Sequence, residues 1–328
     1  MIHLNETDFI SRRRWLLRSS TCVLASAVIK APSREAFADE ALADEATAAH
    51  EGVIDSHVHF YDPDIRGGLV WPDRGSSLYR QVLPKHLLDQ KQYVPILGVI
   101  IVEASPIVGH NDWLLELSTG DSLIKGVVGN LTPGGPDFRA HLETYRQKQL
   151  FRGIRINATL LGQLLEKQSL DDLRLLSDAR LTLDVLGDPN MLPSVAKLAK
   201  AIPSLTIVVD HLCNVRITKQ APPKNWVEGI ADVARFENVY CKVSGLMENA
   251  RSEQTAAPTE TSFYQPYLDV VWDNFGEDRL MYGSNWPVCE IAGDHEIVQR
   301  IAIDYFATKG TTASKKFATT NTMKAYRV

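Results

Sequence analysis

The chain has 328 residues, of which 45% are hydrophobic and 23% charged, and a formal net charge of −5. That is enough apolar material for one large globular core. The acidic balance excludes a basic nucleic-acid footprint, and no uninterrupted apolar run reaches the roughly 18 to 20 residues that a membrane helix needs.

In chain order, Arg12, Arg13 and Arg14 come first, ahead of a moderately apolar stretch from Cys22 to Ala31 and a small-x-small step at Ala36-Phe37-Ala38. Charged residues followed by an apolar segment and such a step are the pattern of an export signal. Arg18 and Lys30 weaken the apolar segment, which suits the twin-arginine route better than an ordinary secretory one. Residues 1–38 are therefore expected to be removed, and the mature protein to be exported to the periplasm. Residues 39–51 are acidic and alanine-rich and read as a linker. Cys22 falls in the signal, leaving Cys213, Cys241 and Cys289. An odd number at wide spacing argues against a disulfide framework, and without a CxxC pair there is no cysteine zinc site.

From residue 52 onward, short β-branched runs alternate with helix-like stretches. Strands are predicted over 52–57, 96–103, 125–130, 152–157, 181–186, 205–211, 239–244 and 279–284. Helical periodicity is clearest over 171–179 and 191–200. Continuous apolar runs bounded by Gly, Asn and Asp are what parallel strands covered by helices look like. Eight of them in residues 52–328 predict a single-domain α/β fold, the (β/α)8 TIM barrel. A doubly wound open sheet is the competing fold, but it calls for a glycine-rich phosphate turn, and neither GxGxxG nor a P-loop occurs. Long loops follow the first strand, over 61–81, and the seventh, over 247–262. In a barrel these lie on the catalytic face, where they are candidates for a lid or a substrate wall.

His57 and His59 stand two apart at the end of the first strand, so both rings leave the same face. Pointing inward, two imidazoles can hold one metal ion or polarise one carbonyl. Asp55 shares their parity one step deeper. Glu103 ends the second strand, a run that should not bury a charge without a partner. It reads either as metal ligand or base, or as a structural carboxylate. Arg155 interrupts the apolar run GIRIN, and its planar fork suits a substrate carboxylate or an oxyanion. The competing reading pairs it with Asp184, which interrupts LTLDVL and can equally ligate, orient a histidine or line the substrate site. His211 ends the run LTIVVDH, and Lys242 in the seventh strand is a weaker candidate. Ser244 lacks a GxSxG context. His110, His141 and His295 have no supporting pattern.

The opening IDSHVHFYDP, with RGIR at 152–155, DHL at 210–212, KVSGL at 242–246, MYGSNWPVCEIAG at 281–293 and NTMKAYRV at the end, resembles the amidohydrolase superfamily. The resemblance is to the amidohydrolase-2 branch, which holds L-fuconolactonase-like and 2-pyrone-4,6-dicarboxylate lactonase-like enzymes, and it spans residues 52–328. It implies a hydrolase that opens a lactone or related cyclic ester of a sugar acid or dicarboxylate with an activated water. It further implies His57, His59 and His211 as ligands of a divalent metal, with Zn2+ expected, or as metal-free polarisers of the carbonyl. Arg155, Asp184 and Trp286 would then face a small-molecule substrate, with the Trp286-Pro287 step shaping the last loop. The branch carries a water-activating aspartate after the Gly-Ser of its eighth strand, where this chain has Asn285. An amide has no basic lone pair at neutral pH. Asn285 is thus expected to position water, with Glu103 as the substitute base. Loss of the aspartate also keeps open a barrel that binds sugar acids without turnover, and a metal-dependent decarboxylase remains an alternative chemistry. A barrel of this size can be a monomer or a homodimer.

Overall fold

The computed structural model describes residues 51–252 and 255–328, so the expected export signal and nearly all of the expected linker fall outside the described residues. Eight parallel strands follow one another round a sheet in strict chain order. They are β1 (Val53–Val58), β2 (Ile96–Val102), β3 (Ile124–Gly129), β4 (Phe151–Asn157), β5 (Thr182–Leu186), β6 (Ile207–Val209), β7 (Val239–Val243) and β8 (Leu280–Tyr282). Beyond β8 the chain bends back onto β1. There the Asn285 amide donates to the His57 carbonyl at 2.9 Å and the His59 amide to the Trp286 carbonyl at 2.8 Å. Those two bonds bridge the seam between the end of the sheet and its start, giving a nearly closed barrel. This is the single-domain (β/α)8 barrel.

Helices over the predicted windows are present at Asp171–Asp178 and Leu192–Ala201, each with its apolar side against the sheet. The strands are buried on both sides, which is why they read as unbroken apolar runs. Their outer side packs with the helices in one large cluster that includes Val99, Val127, Leu183 and Val209. Their inner side builds a second, smaller cluster from Ile100, Val102, Val128, Val208, Tyr240 and Met281. Ala325 and Tyr326, from the helix Asn321–Tyr326, complete this inner cluster. The chain's last helix is therefore the plug of the barrel, a placement the sequence pattern did not announce.

Polar residues start where the inner apolar layer ends. Register sets Arg155 beside Asp184 and Lys242 beside Met281 on neighbouring strands. The barrel interior is thus apolar at the plugged end and charged towards the strands' C-terminal ends, where βα loops build the site in such folds.

Candidate active site

Local backbone geometry presents the strand-end residues. Asp55 Oδ1 accepts from the His57 amide at 3.1 Å and from the Ser284 amide at 2.9 Å, tying the start of the site to its end. His211, Leu212, Cys213 and Asn214 all lie in the left-handed region, with φ of 53°, 51°, 60° and 46°. Each such non-glycine residue costs about 1–2 kcal/mol, so the turn after β6 stores strain of the kind that clusters at functional sites. Asn285 is held the same way, at φ 60°. Gly245, at φ +67°, lets the chain pass so near His211 that an added Cβ would stand 3.0 Å from the histidine Cβ.

A cavity of about 570 Å3 opens at this end, of the size that small-molecule sites take. His59, Glu103, Arg155, His211 and Asn285 all line it, and Trp71 from the 61–81 loop forms part of its wall. Leu131, Ile156, Leu160, Leu186 and Val288 supply apolar surface between them. His57 does not reach the cavity; it is fully buried beneath.

The histidines converge. His57 Nε2 and His59 Nε2 are 3.2 Å apart, and the His57 and His211 ring centroids 4.3 Å apart. His59 Nδ1 is 2.8 Å from the Val102 carbonyl, which fixes that nitrogen as the protonated one and leaves Nε2 a lone pair. Ser244 Oγ lies 2.7 Å from His211 Nδ1, and the serine is buried and does not line the cavity, so it orients the imidazole from below the site. Burial holds all three rings neutral. His57 is pushed well below the ordinary imidazole value by burial and by the Lys242 ammonium. His59 falls to about 3 through burial and the charge of Arg155. Burial likewise takes His211 to about 4, against the pull of Asp210.

Two ion pairs sort the charged candidates. Arg155 Nε donates to Glu103 Oε1 at 2.9 Å and its NH2 group to the Glu103 carbonyl at 2.6 Å. Glu103 outweighs the burial that would otherwise favour loss of the guanidinium's charge. Asp184 is therefore not the partner of Arg155, although register places it alongside. Lys242 Nζ takes Asp184 instead, at 2.6 Å, and also stands 3.0 Å from Asp210 Oδ1 and 3.1 Å from His57 Nδ1. The Tyr326 hydroxyl donates to the two Asp184 oxygens at 3.0 and 2.8 Å. Burial raises Asp184 to about 6 in spite of that lysine. Asp210 goes the other way: burial works against its charge, but Lys242 and the imidazoles hold it well below the usual carboxylate range.

Two expectations are corrected by this arrangement. Asp184 does not face substrate, because the lysine and the C-terminal tyrosine seal it below the cavity. Trp286 does not face substrate either; its ring is fully buried against Phe60, and its indole N–H donates to Glu290 at 2.8 Å. The tryptophan at the wall is Trp71, from the first long loop.

Among the described residues, the group with ligand atoms within 4.8 Å of one another is His57, Asp210 and His211. Both Asp210 oxygens are buried and neither accepts a hydrogen bond, the Lys242 contact being an ion pair without hydrogen-bond alignment. A buried carboxylate that meets Lys242 without a hydrogen bond, beside two neutral imidazoles, is a donor set that fits a divalent cation. Asp210, in the DHL triplet, and Glu248, from the second long loop, join the site without a role assigned to them by the sequence; Glu248 Oε1 accepts from Asn285 Nδ2 at 2.9 Å. No pattern in the sequence marked either carboxylate.

Known proteins agree with the geometry. The amidohydrolase family model matches residues 54–328. L-Fucono-1,5-lactonase of Burkholderia ambifaria is 30% identical over 246 residues, covering 73% of this chain and 82% of that protein. The protein of the same name from Burkholderia multivorans is 26% identical over 276 residues, covering 81% and 92%. A solved amidohydrolase from Burkholderia multivorans with bound zinc superposes with a TM-score of 0.75 at 23% identity, covering 84% of this chain and 99% of that one. That last likeness bears on the fold alone, whereas the family match runs through the strand-end histidines, both ion pairs and the plugging helix. The chain is an enzyme of the amidohydrolase family.

Proposed function

We propose that this enzyme hydrolyses a lactone of a sugar acid. The observation that carries the reading is the single cavity in which His59, His211, Arg155, Glu103 and Asn285 meet over the buried His57 and Asp210. The two L-fucono-1,5-lactonases support the choice of a sugar lactone. Arg155 holds a carboxylate or ring hydroxyls of the substrate through its remaining N–H groups. Glu103 commits one oxygen to Arg155 and accepts the proton of the attacking water with the other. As the acyl–oxygen bond breaks, that proton passes to the departing ring oxygen, so water is consumed and a hydroxy acid is formed. The Arg155 guanidinium, the cation at the cavity wall, steadies the charge growing on the carbonyl oxygen.

His57, Asp210 and His211 would hold the divalent ion, for which we propose zinc. When bound, the ion supplies Lewis-acid polarisation of the carbonyl. Its binding shares Asp210 and His57 with Lys242, so affinity for it reflects competition with that ammonium. We also propose export of the mature chain by the twin-arginine route, tested by exchanging Arg12, Arg13 and Arg14 for lysines and following the protein's location.

The decisive assay is turnover of L-fucono-1,5-lactone, aldonolactones and 2-pyrone-4,6-dicarboxylate by protein of measured metal content, with and without chelator. Ring opening of at least one substrate is expected. Binding of the hydroxy acid product without turnover of any lactone would favour a non-catalytic barrel and overturn the reading.

A further inference from the structure

Asn285 occupies the position at which the branch carries a carboxylate, and an amide has one face that accepts and one that donates. Which face meets the cavity decides whether the residue can do any part of a carboxylate's work. The answer lies behind it. Glu248 sits in the short helix Leu246–Ala250, and its Oε1 stands 2.9 Å from Asn285 Nδ2. An ionised carboxylate only accepts, so it selects the NH2 group as its neighbour. The other end of the amide, Oδ1, then belongs to the cavity that Asn285 lines. The backbone at Asn285 is fixed, since its amide donates to the His57 carbonyl and its carbonyl accepts from the Cys289 amide at 3.1 Å, which leaves rotation about the side chain's last bond as the way to turn the amide over.

We propose that Glu248 is a positioning residue that locks the Asn285 amide with Oδ1 towards the cavity, where it accepts a hydrogen bond from the attacking water. The proposal rests on the lactonase reading for the water's purpose, but the lock itself is a property of two side chains. With Oδ1 inward, the water is gripped through one hydrogen while its other hydrogen is free for Glu103. With the amide turned over, the NH2 group would compete for the water's lone pair, the electrons that must attack the carbonyl.

The surroundings make the lock sensitive to protonation. Tyr264, Tyr282 and Cys289 are the titratable groups whose charge interactions reach Glu248, and burial raises all three so that they stay neutral. No ammonium or guanidinium is among them. Oε2 of Glu248 is buried and has no hydrogen-bond partner among the described residues. Burial accordingly raises the Glu248 carboxyl to about 7. Once protonated, Glu248 can donate to Oδ1 and no longer dictates which end of the amide it meets.

The test uses the full-length enzyme and two readouts. The Asn285 side-chain NH2 resonance, assigned by its disappearance in Asn285→Asp, should titrate with a midpoint near 7 in the wild type and lose that titration in Glu248→Gln. In steady-state kinetics on whichever lactone the wild type opens, Glu248→Gln should lower kcat about 10-fold with KM unchanged, and remove the acid limb that the wild type shows near pH 7. Asn285→Asp creates two facing carboxylates that share a proton, so its acid limb should move above that of the wild type. Adding Glu248→Gln to it should bring the limb back down. An NH2 resonance indifferent to pH, or an acid limb that stays near pH 7 in Glu248→Gln instead of giving way to the lower limb of the base Glu103, overturns the proposal. Absence of any lactone turnover in the wild type would sink the proposed function instead, and the resonance would still decide on the lock.

Discussion

Two ion pairs of the barrel interior, Lys242–Asp184 and Arg155–Glu103, look alike on paper and differ in what surrounds them. At the floor, Lys242 and Asp184 are fully buried and capped by Tyr326. At the mouth, Arg155 and Glu103 keep about a tenth of their side-chain surface, 12% each, and line the cavity. A sealed pair can only hold the structure, because no substrate reaches it and breaking it strands a charge. A pair at a cavity wall can exchange part of its hydrogen bonding for a ligand. The same chemistry thus builds a scaffold in one place and a binding group that starts on the neighbouring strand.

The comparison breaks if the floor proves dispensable. Lys242→Met should destabilise the fold by roughly 3–5 kcal/mol, since it leaves Asp184 and Asp210 buried without their cation. Urea unfolding measures this, and adding Asp184→Asn should recover part of the loss. At the mouth the effects should appear in kinetics. Glu103→Gln should reduce kcat by about 10²–10⁴-fold, the usual contribution of a general base, with an unfolding midpoint close to the wild type's. Wild-type turnover in that variant would remove Glu103 from the chemistry.

Arg155→Lys keeps the charge and loses the fork, so KM for a sugar-acid lactone should rise about 10-fold, equivalent to about 1.4 kcal/mol of binding, with a smaller change in kcat.

Proton linkage sharpens the contrast by a smaller amount. His59 titrates at about 3 in the fold and near 6.5 as a free side chain. Between those values the unfolded chain binds the extra proton, so this contribution is complete above about pH 6.5 and drains away as pH falls towards 3. Going from pH 6.5 to 5.5, wild type should lose about 1 kcal/mol relative to His59→Asn, a single group's linkage being at most 1.36 kcal/mol per pH unit. Equal pH slopes for the two proteins would show that the ring is not held neutral. Tyr326→Phe should have the smallest effect, about 1 kcal/mol for one hydrogen bond, read in thermal unfolding with kcat unaltered.

The eight strands were legible because each is buried on both sides and therefore spells an unbroken apolar run. His57, His59, His211, Arg155 and Glu103 were legible because a polar residue at the end of such a run needs a reason. Which acid meets which base was not. Arg155 and Asp184 share a register level, yet their side chains lean to different neighbours, and only three-dimensional reach decides that. Asp210 was hidden by adjacency to His211. Glu248 lies in a polar segment where a glutamate is unremarkable until the fold buries it. Trp286 misled because a tryptophan beside a catalytic position looks like a substrate wall, whereas here its indole is spent on Glu290.

The helix that stoppers the barrel has a consequence for biosynthesis. Asp184 receives the Tyr326 hydroxyl across 142 residues of sequence. A ribosome-bound chain can pair its strands one after another, but the charged floor stays open to water until the terminal helix has emerged and docked. Maturation is in that sense sealed from the back.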